Sequence, residues 1–240
     1  MATRKRKRKS SAKGLRARIR TAVKWLRRGL LGLVAMVALW MLAYAFLPVP
    51  VTAYMISERA RIGVPLDREW VSLDDISIHL QRAAVAAEDA NFCEHWGFDM
   101  AAIRDAIADG AQRGGSTISQ QTVKNAFLWH GRSWVRKAIE GLMTPLMEAM
   151  WSKRRVLEVY LNIAEFDEGV FGAQAASRHY FGVSASELTE NQAARLAAIL
   201  PNPQGRDAAN PAPATRTRAA AIADGAATIA RDGRDECFAN

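Results

Sequence analysis

The stretch "AAEDANFCEHWGFD", residues 86–99, sets the adjacent acids Glu88 and Asp89 at the end of an alanine-rich run. A histidine, aromatic residues and a glycine follow closely. A carboxylate at the end of an apolar helix is desolvated, which raises its pKa and suits it to general acid or base work near neutral pH. Glu88 is the better candidate because it continues the face of Ala84 and Ala87. Asp89 fits a structural role, held by backbone or basic neighbours, and two adjacent acids are by themselves a weak signal.

A second stretch, "RGGSTISQQTVKN" at 113–125, combines two glycines, the hydroxyls of Ser116 and Thr117 and a helix start. Its free N–H groups suit an anion such as phosphate, although a plain Gly-Gly turn capped by serine has the same signature. Gln120, Gln121, Lys124 and Asn125 follow on the early turns of that helix, and the P-loop order of glycines and lysine is absent. In "RSWVRKAIE", residues 132–140, Arg136, Lys137 and Glu140 share one helical face. Such a group is ordinarily a surface salt-bridge cluster. Beside a phosphate-binding turn, two cations and an acid able to hold a divalent metal read as a diphosphate clamp. The four histidines lack metal-ligand spacing, and His95 reads as orienting the Glu88 loop.

The elements that must position these residues are helical. A helix is predicted over about 76–87, with Ile76, Leu80, Ala83, Ala84 and Ala87 on one face. Asp99 can cap another as far as about residue 108, before Gly110, and Ser116 or Thr117 can start the next, which fades near Leu128. Ser133 opens a longer helix in which Val135, Ala138, Ile139, Leu142, Leu146 and Met150 fall on one face, with Pro145 expected to bend or interrupt it. A further helix covers 153–163, and Thr189 with Gln192 forms a capping box for a helix that Pro201 closes. Beyond Pro203 the composition turns to Ala, Arg, Asp and Pro, so residues 204–240 read as a loosely attached C-terminal segment. The cysteines, Cys93 and Cys237, are too few for a disulfide framework or a zinc site. An oxidising compartment would permit them to pair, but nothing in the sequence places them together, and the pairing is left open.

The chain has 33 Lys and Arg against 24 Asp and Glu, yet 13 of those basic residues lie in 1–28, which contains no acid. The remaining 212 residues are therefore slightly acidic, so no nucleic-acid partner is expected. Residues 29–47, "GLLGLVAMVALWMLAYAFL", carry no charge, and nineteen helical residues span roughly 28 Å, close to the thickness of a bilayer core. This predicts a cytoplasmic basic tail (1–28), a transmembrane anchor (29–47) and an extracytoplasmic domain (48–203). A cleaved signal peptide is the competing reading, because Ala43-Tyr44-Ala45 fits a cleavage pattern; the apolar run exceeds the usual length and Pro48 follows it.

In order and spacing, "AAEDANFCEHWGFD", "GGSTISQQTVKN", "RKAIE", "KRRVLEVYLNIAEF" and "GVFGAQAASRHYFG" resemble the five successive motifs of the peptidoglycan glycosyltransferase family. The match covers about residues 76–203, and the form of the motifs through "LPNP" is similar to monofunctional, membrane-anchored members. The resemblance implies an all-α, lysozyme-like domain that polymerises lipid II, a disaccharide-pentapeptide on undecaprenyl diphosphate, in the bacterial inner membrane with the catalytic domain in the periplasm. Carried over, Glu88 is the base that deprotonates the acceptor 4-hydroxyl, and Lys124, Arg136 and Lys137 match the diphosphate charge. Glu140 orders those cations or binds Mg²⁺ or another divalent cation. Ser116, Gln121 and Asn125 position the donor, while Asp89 and Phe92 shape the acceptor side. Lipid II, the nascent glycan strand, the membrane and other cell-wall synthesis proteins are the implied partners.

Phe127, Leu128, Trp129 and Trp134 are expected either to dip into the bilayer, as interfacial aromatic residues do, or to be core residues. Lys153, Arg154, Arg155 and Glu158 are expected to be structural. A lytic transglycosylase or lysozyme would share the fold but need a glutamate acting as acid and no diphosphate clamp. A non-catalytic scaffold would tolerate loss of Glu88 and Glu140. No transpeptidase activity is expected at this length; Ser10-Ser11-Ala12-Lys13 matches Ser-x-x-Lys only within the basic tail.

Overall fold

The structure, a computed structural model, describes residues 3–108, 115–131 and 133–239, with side chains from residue 18 onward except 106–108. Gly110, Gly114 and Arg132, on which parts of the sequence reading rest, lie outside the described residues. The chain divides into two units, Met1–Tyr44 and Ala45–Asn240.

The first unit is one helix, α1 (Thr3–Tyr44), within which Arg18–Tyr44 is long and apolar enough to cross a membrane. Such a helix fits a single-pass anchor.

The second unit is mostly helical, as expected, with a small sheet that periodicity did not announce. Its helices are α2 (Ala53–Ile62), α3 (Ile78–Glu88), α4 (Met100–Ala108), α5 (Ile118–Phe127), α6 (Trp134–Met150), α7 (Lys153–Ile163), α8 (Ala173–Phe181), α9 (Glu190–Ile199) and α10 (Pro213–Arg231). Strands β1 (Asp67–Arg68), β2 (Glu165–Asp167) and β3 (Val170–Phe171) form a sheet of order β1-β3-β2, parallel at β1/β3 and antiparallel at β2/β3. Two- and three-residue strands are too short to show alternation in a sequence.

The helix boundaries follow from their caps. Ser77, Thr117, Ser133, Ser152 and Thr189 each accept a backbone N–H of the first turn, and Thr117 with Gln120 and Thr189 with Gln192 complete capping boxes. Asp99 accepts from the Ala102 N–H at 2.8 Å and starts α4. Helix α6 is continuous through Pro145, so the expected interruption does not occur.

Two bundles position the site. In one, α5 lies between α6 and α7; in the other, α3, α9 and α10 pack on one another. The second overturns the expectation of a loose C-terminal segment. Ala219, Ile222, Ala226 and Ile229 recur at spacings of three and four, are 5%, 5%, 6% and 1% exposed, and form the buried face of α10. The segment after α10 returns to the loop following Glu88, where Phe238 is fully buried beside Phe92 at a ring separation of 6.3 Å. Cys93 and Cys237, whose pairing the sequence leaves open, are joined by a disulfide with Cα atoms 5.6 Å apart. Their approach is a tertiary consequence of α10 packing and has no local signal.

The sequence leaves open which way the apolar face of α6 turns. That stripe points away from the protein, with Trp134 92%, Val135 65% and Leu142 77% exposed. The opposite face buries Glu140, Thr144, Met147 and Glu148. Periodicity identifies a face but not the side it turns to, and here the polar face is the one that meets the protein.

Candidate active site

Glu88 is the last residue of α3, its side chain 14% exposed. Helix α3 is anchored at its start by Ser77, whose hydroxyl accepts from the His79 N–H and donates to the Leu188 carbonyl. Its end is held by Asp89, whose carboxylate accepts from the Ile118 N–H at 2.9 Å and from His95 Nε2 at 2.7 Å. Asp89 thereby fastens the end of α3 to the start of α5. The loop from α3 to α4 packs closely on α6: a Cβ added at Gly97, whose φ is 81°, would lie only 2.5 Å from Thr144 Cγ2, and the Gly97 carbonyl accepts from the Thr117 hydroxyl at 2.7 Å.

This arrangement narrows one sequence-predicted role and revises another. Two of the first-turn donors of α5 are already engaged, Ile118 N–H by Asp89 and Gln120 N–H by the Thr117 hydroxyl, so the anion held at this helix start is Asp89. Phe92, expected to shape the acceptor side, is fully buried under Phe238 and the Lys153 ammonium, 4.5 Å from its ring centre, and cannot touch a substrate. Asp89 likewise acts by positioning.

Around Glu88 the groups are graded. Gln121 Nε2 donates to Glu88 Oε2 at 2.9 Å, so this residue, expected to position a donor, also directs the carboxylate. Burial raises the Glu88 pKa above the ordinary carboxylate range, while the Gln121 bond and the charges of Arg218 and Lys124 oppose the rise. The result is a carboxylate with more proton affinity than a surface glutamate, as a base near neutral pH requires.

The cation cluster stands beside it. Glu140 is 2% exposed, and its two oxygens are taken by Arg136, at 2.7 Å, and by Lys137. Lys137 Nζ also donates to the Ser116 hydroxyl at 3.2 Å, and Arg136 Nε to the Gly131 carbonyl at 3.1 Å. Lys124 links the two groups: its ammonium interacts electrostatically with Glu88 and with Glu140, Arg136 and Lys137. Burial lowers its pKa, and among the described residues it has no direct hydrogen-bond or ion-pair partner. An anion entering here would restore the solvation that Lys124 has lost.

A cleft of about 290 Å³ opens from Lys124, Gln121 and Asn125 toward Tyr54, Glu165 and Gln204. Asn125 Oδ1 is buried with no partner among the described residues. Tyr54 stacks on His130 at 3.7 Å and donates to Glu165 at 2.5 Å, and Gln204 donates to Glu165 and Glu58. Glu165 belongs to the fourth motif, whereas Tyr54, His130 and Gln204 lie outside the five motifs, and no chemical role was read for any of the four. Burial pushes the His130 pKa down to about 4, and Lys124 and Arg136 add to that. Phe127 and Leu128, expected at the membrane or in the core, are buried, whereas Trp129 and Trp134 are exposed.

The divalent-ion expectation does not fit this donor set. Both Glu140 oxygens are consumed by cations, and among the described residues no three His, Cys, Asp or Glu side chains converge as metal ligands. Glu140 instead orders Arg136 and Lys137. In the fourth motif Lys153 pairs with Glu148 at 2.8 Å, Arg154 with Asp74 at 2.5 Å and Arg155 with Glu158, while Glu165 of the same motif lines the cleft.

A buried carboxylate, a neighbouring cluster of three cations and five ordered motifs coincide with a known family, whose description is "Transglycosylase" and whose profile matches residues 57–227. The chain belongs to the transglycosylase family. Among its relatives, the biosynthetic peptidoglycan transglycosylase of Jannaschia sp. (strain CCS1) is 62% identical over the whole of both chains. That of Caulobacter vibrioides is 48% identical over 82% of this chain and 87% of its own, and that of Mannheimia succiniciproducens 52% identical over 67% and 70%. The resemblance carried by the motifs is thus borne out. The family match reaches into α10, in agreement with the packing of that helix and against a domain ending at residue 203.

Proposed function

We propose that this protein is a peptidoglycan glycosyltransferase that polymerises lipid II into glycan strands. The observation that carries the reading is the pairing of one buried carboxylate, Glu88, with the cations Lys124, Arg136 and Lys137. In the proposed reaction the acceptor 4-hydroxyl oxygen attacks the anomeric carbon of the growing donor chain. Its proton passes to Glu88, and the bond from the anomeric carbon to the diphosphate oxygen breaks with inversion.

The leaving group explains why one carboxylate is enough. A glycosidase that expels a sugar alkoxide needs a general acid as well as a base or nucleophile. A diphosphate departs as a stable anion and needs its charge matched, which fixed cations in a partly dry site do without reorganisation. Arg136 and Lys137 are held in place by Glu140, and Lys124 is the cation whose charge is not already spent on an ion pair. In this reading Asn125, which lines the cleft, and Ser116, which accepts from Lys137, orient the donor.

The localisation reading extends the same chemistry. A basic tail before the apolar helix puts the N-terminus in the cytoplasm and the catalytic unit outside the inner membrane. The outward stripe of α6, with the exposed Trp129 and Trp134, suits contact with lipid, so that the polyprenyl tail of the substrate stays in the bilayer. The disulfide Cys93–Cys237 accords with an oxidising compartment.

The test is incubation of the detergent-solubilised full chain with labelled lipid II. The reading expects a polymer that muramidase degrades. Shortening of preformed glycan without polymer formation would favour the lytic reading, and inactivity in both assays a scaffold.

A further inference from the structure

Outside the five motifs, α10 brings a guanidinium to the catalytic carboxylate. Arg218 Nη2 donates to the Ala87 carbonyl at 3.4 Å and lies 3.6 Å from Glu88 Oε1. One nitrogen thus bridges the last backbone turn of α3 and the side chain of its final residue. The helix that carries it cannot drift: Ala219 and Ile222, one and four residues on, are buried between α3 and α9. Beyond α10 the chain is fixed to the same region by Arg82–Asp235 at 2.7 Å, by Arg234 Nη1 on the Ala90 carbonyl at 3.4 Å and by Cys93–Cys237. The C-terminal segment therefore grips the backbone on both sides of Glu88.

We propose that Arg218 is a positioning residue for Glu88, fixing the direction of its carboxylate and holding it in the ionised, proton-accepting form. This rests on the reading of Glu88 as the base. The groups facing Glu88 are Gln121 and Lys124 from α5, Tyr160 from α7, Asp89 from its own loop and Arg218 from α10. Asp89 and burial favour the protonated form, while Gln121, Arg218 and Lys124 favour the ionised one. Lys124 belongs to the leaving-group wall, so a bound diphosphate takes up much of its field. Arg218 approaches from the other bundle and remains to balance Glu88 when the substrate is in place. The division of labour is electrostatic: the α5–α6 cations serve the departing diphosphate, and the α10 cation serves the base.

The experiment compares initial rates of lipid II polymerisation from pH 5.5 to 9 for the full chain and for Arg218→Gln, Arg218→Lys and Arg216→Gln. Arg216 lies on the same helix and donates to the Pro211 carbonyl at 2.8 Å, away from Glu88. Removing an opposite charge at this distance moves a carboxylate pKa by one unit or more, so the acidic limb of Arg218→Gln is expected to shift upward by about one pH unit. Its kcat falls at neutral pH and recovers at high pH, with KM changed less than about twofold. Arg218→Lys returns the limb toward wild type, and Arg216→Gln leaves it in place.

An Arg218→Gln limb coincident with wild type, whatever the loss of rate, would overturn the proposal. A second readout does not require activity: ¹³C NMR titration of the Glu88 carboxylate, assigned by its disappearance in Glu88→Gln. A higher Glu88 pKa in Arg218→Gln supports the role and an unchanged one contradicts it. Failure of the wild type to polymerise lipid II would count against the proposed function, separately from this titration.

Discussion

At the scale of single residues, the account turns on a carboxylate kept in a place that penalises its charge. Because burial raises the Glu88 pKa in the folded chain, the unfolded chain loses its proton first as pH rises. The ionised side chain therefore costs stability that grows between the unfolded and folded pKa values, is complete above the folded value and vanishes below the unfolded one. Glu88→Gln is expected to raise the melting temperature at pH 8 and to leave it unchanged at pH 3.5, as followed by circular dichroism. Glu140 contributes stability through its ion pairs. Its carboxylate is buried and shared by Arg136 and Lys137, so Glu140→Ala leaves two cations facing each other without their counter-charge. The expected loss is about 3 kcal/mol in denaturant unfolding, reduced from the fully buried case by the partial exposure of Lys137, together with loss of polymerisation. Both glutamates were legible because they sit at fixed offsets in ordered motifs. Arg218 was not: its partner lies 130 residues earlier in the chain, and an arginine on an alanine-rich helix looks like any solvated charge.

At the scale of elements, caps were legible and directions were not. Thr117, Ser133 and Thr189 announce their helices because capping is a contact within four residues. The outward turn of the α6 stripe depends on what lies beyond the protein, which local pattern does not record. If that stripe meets lipid, Leu142→Glu should lower binding of the chain lacking residues 1–44 to liposomes of anionic phospholipid while leaving its thermal unfolding within about 0.5 kcal/mol, as expected for an exposed site. Equal liposome binding by the variant would remove the membrane role from α6. Helix α10 was misread for a related reason: alanine and arginine obscure a spacing of 219, 222, 226 and 229 that is regular once the partners are known.

At the scale of the whole molecule, the catalytic unit is closed by its own end. The disulfide joins residues 144 apart, and a cross-link of that span stabilises the folded state by about 2–4 kcal/mol through the unfolded chain. Cys237→Ser should lose that amount in denaturant unfolding, and a thiol reductant should produce the same loss in the wild type but none in the variant. The two bundles then have separate duties. On the proposed reading the α5–α6 side gathers cations for a departing diphosphate, the α3–α9–α10 side holds the base, and Glu88 stands where they meet.

The most direct measurement of that claim is polymerisation and substrate binding by Glu88→Gln in parallel with Lys124→Met, using labelled lipid II and the full chain. A base in a site whose cations are intact predicts that Glu88→Gln binds lipid II as the wild type does but forms no polymer, whereas Lys124→Met loses both binding and turnover. Polymer formed by Glu88→Gln at a rate near wild type would contradict the account and would turn attention to Glu165, a carboxylate that lines the cleft.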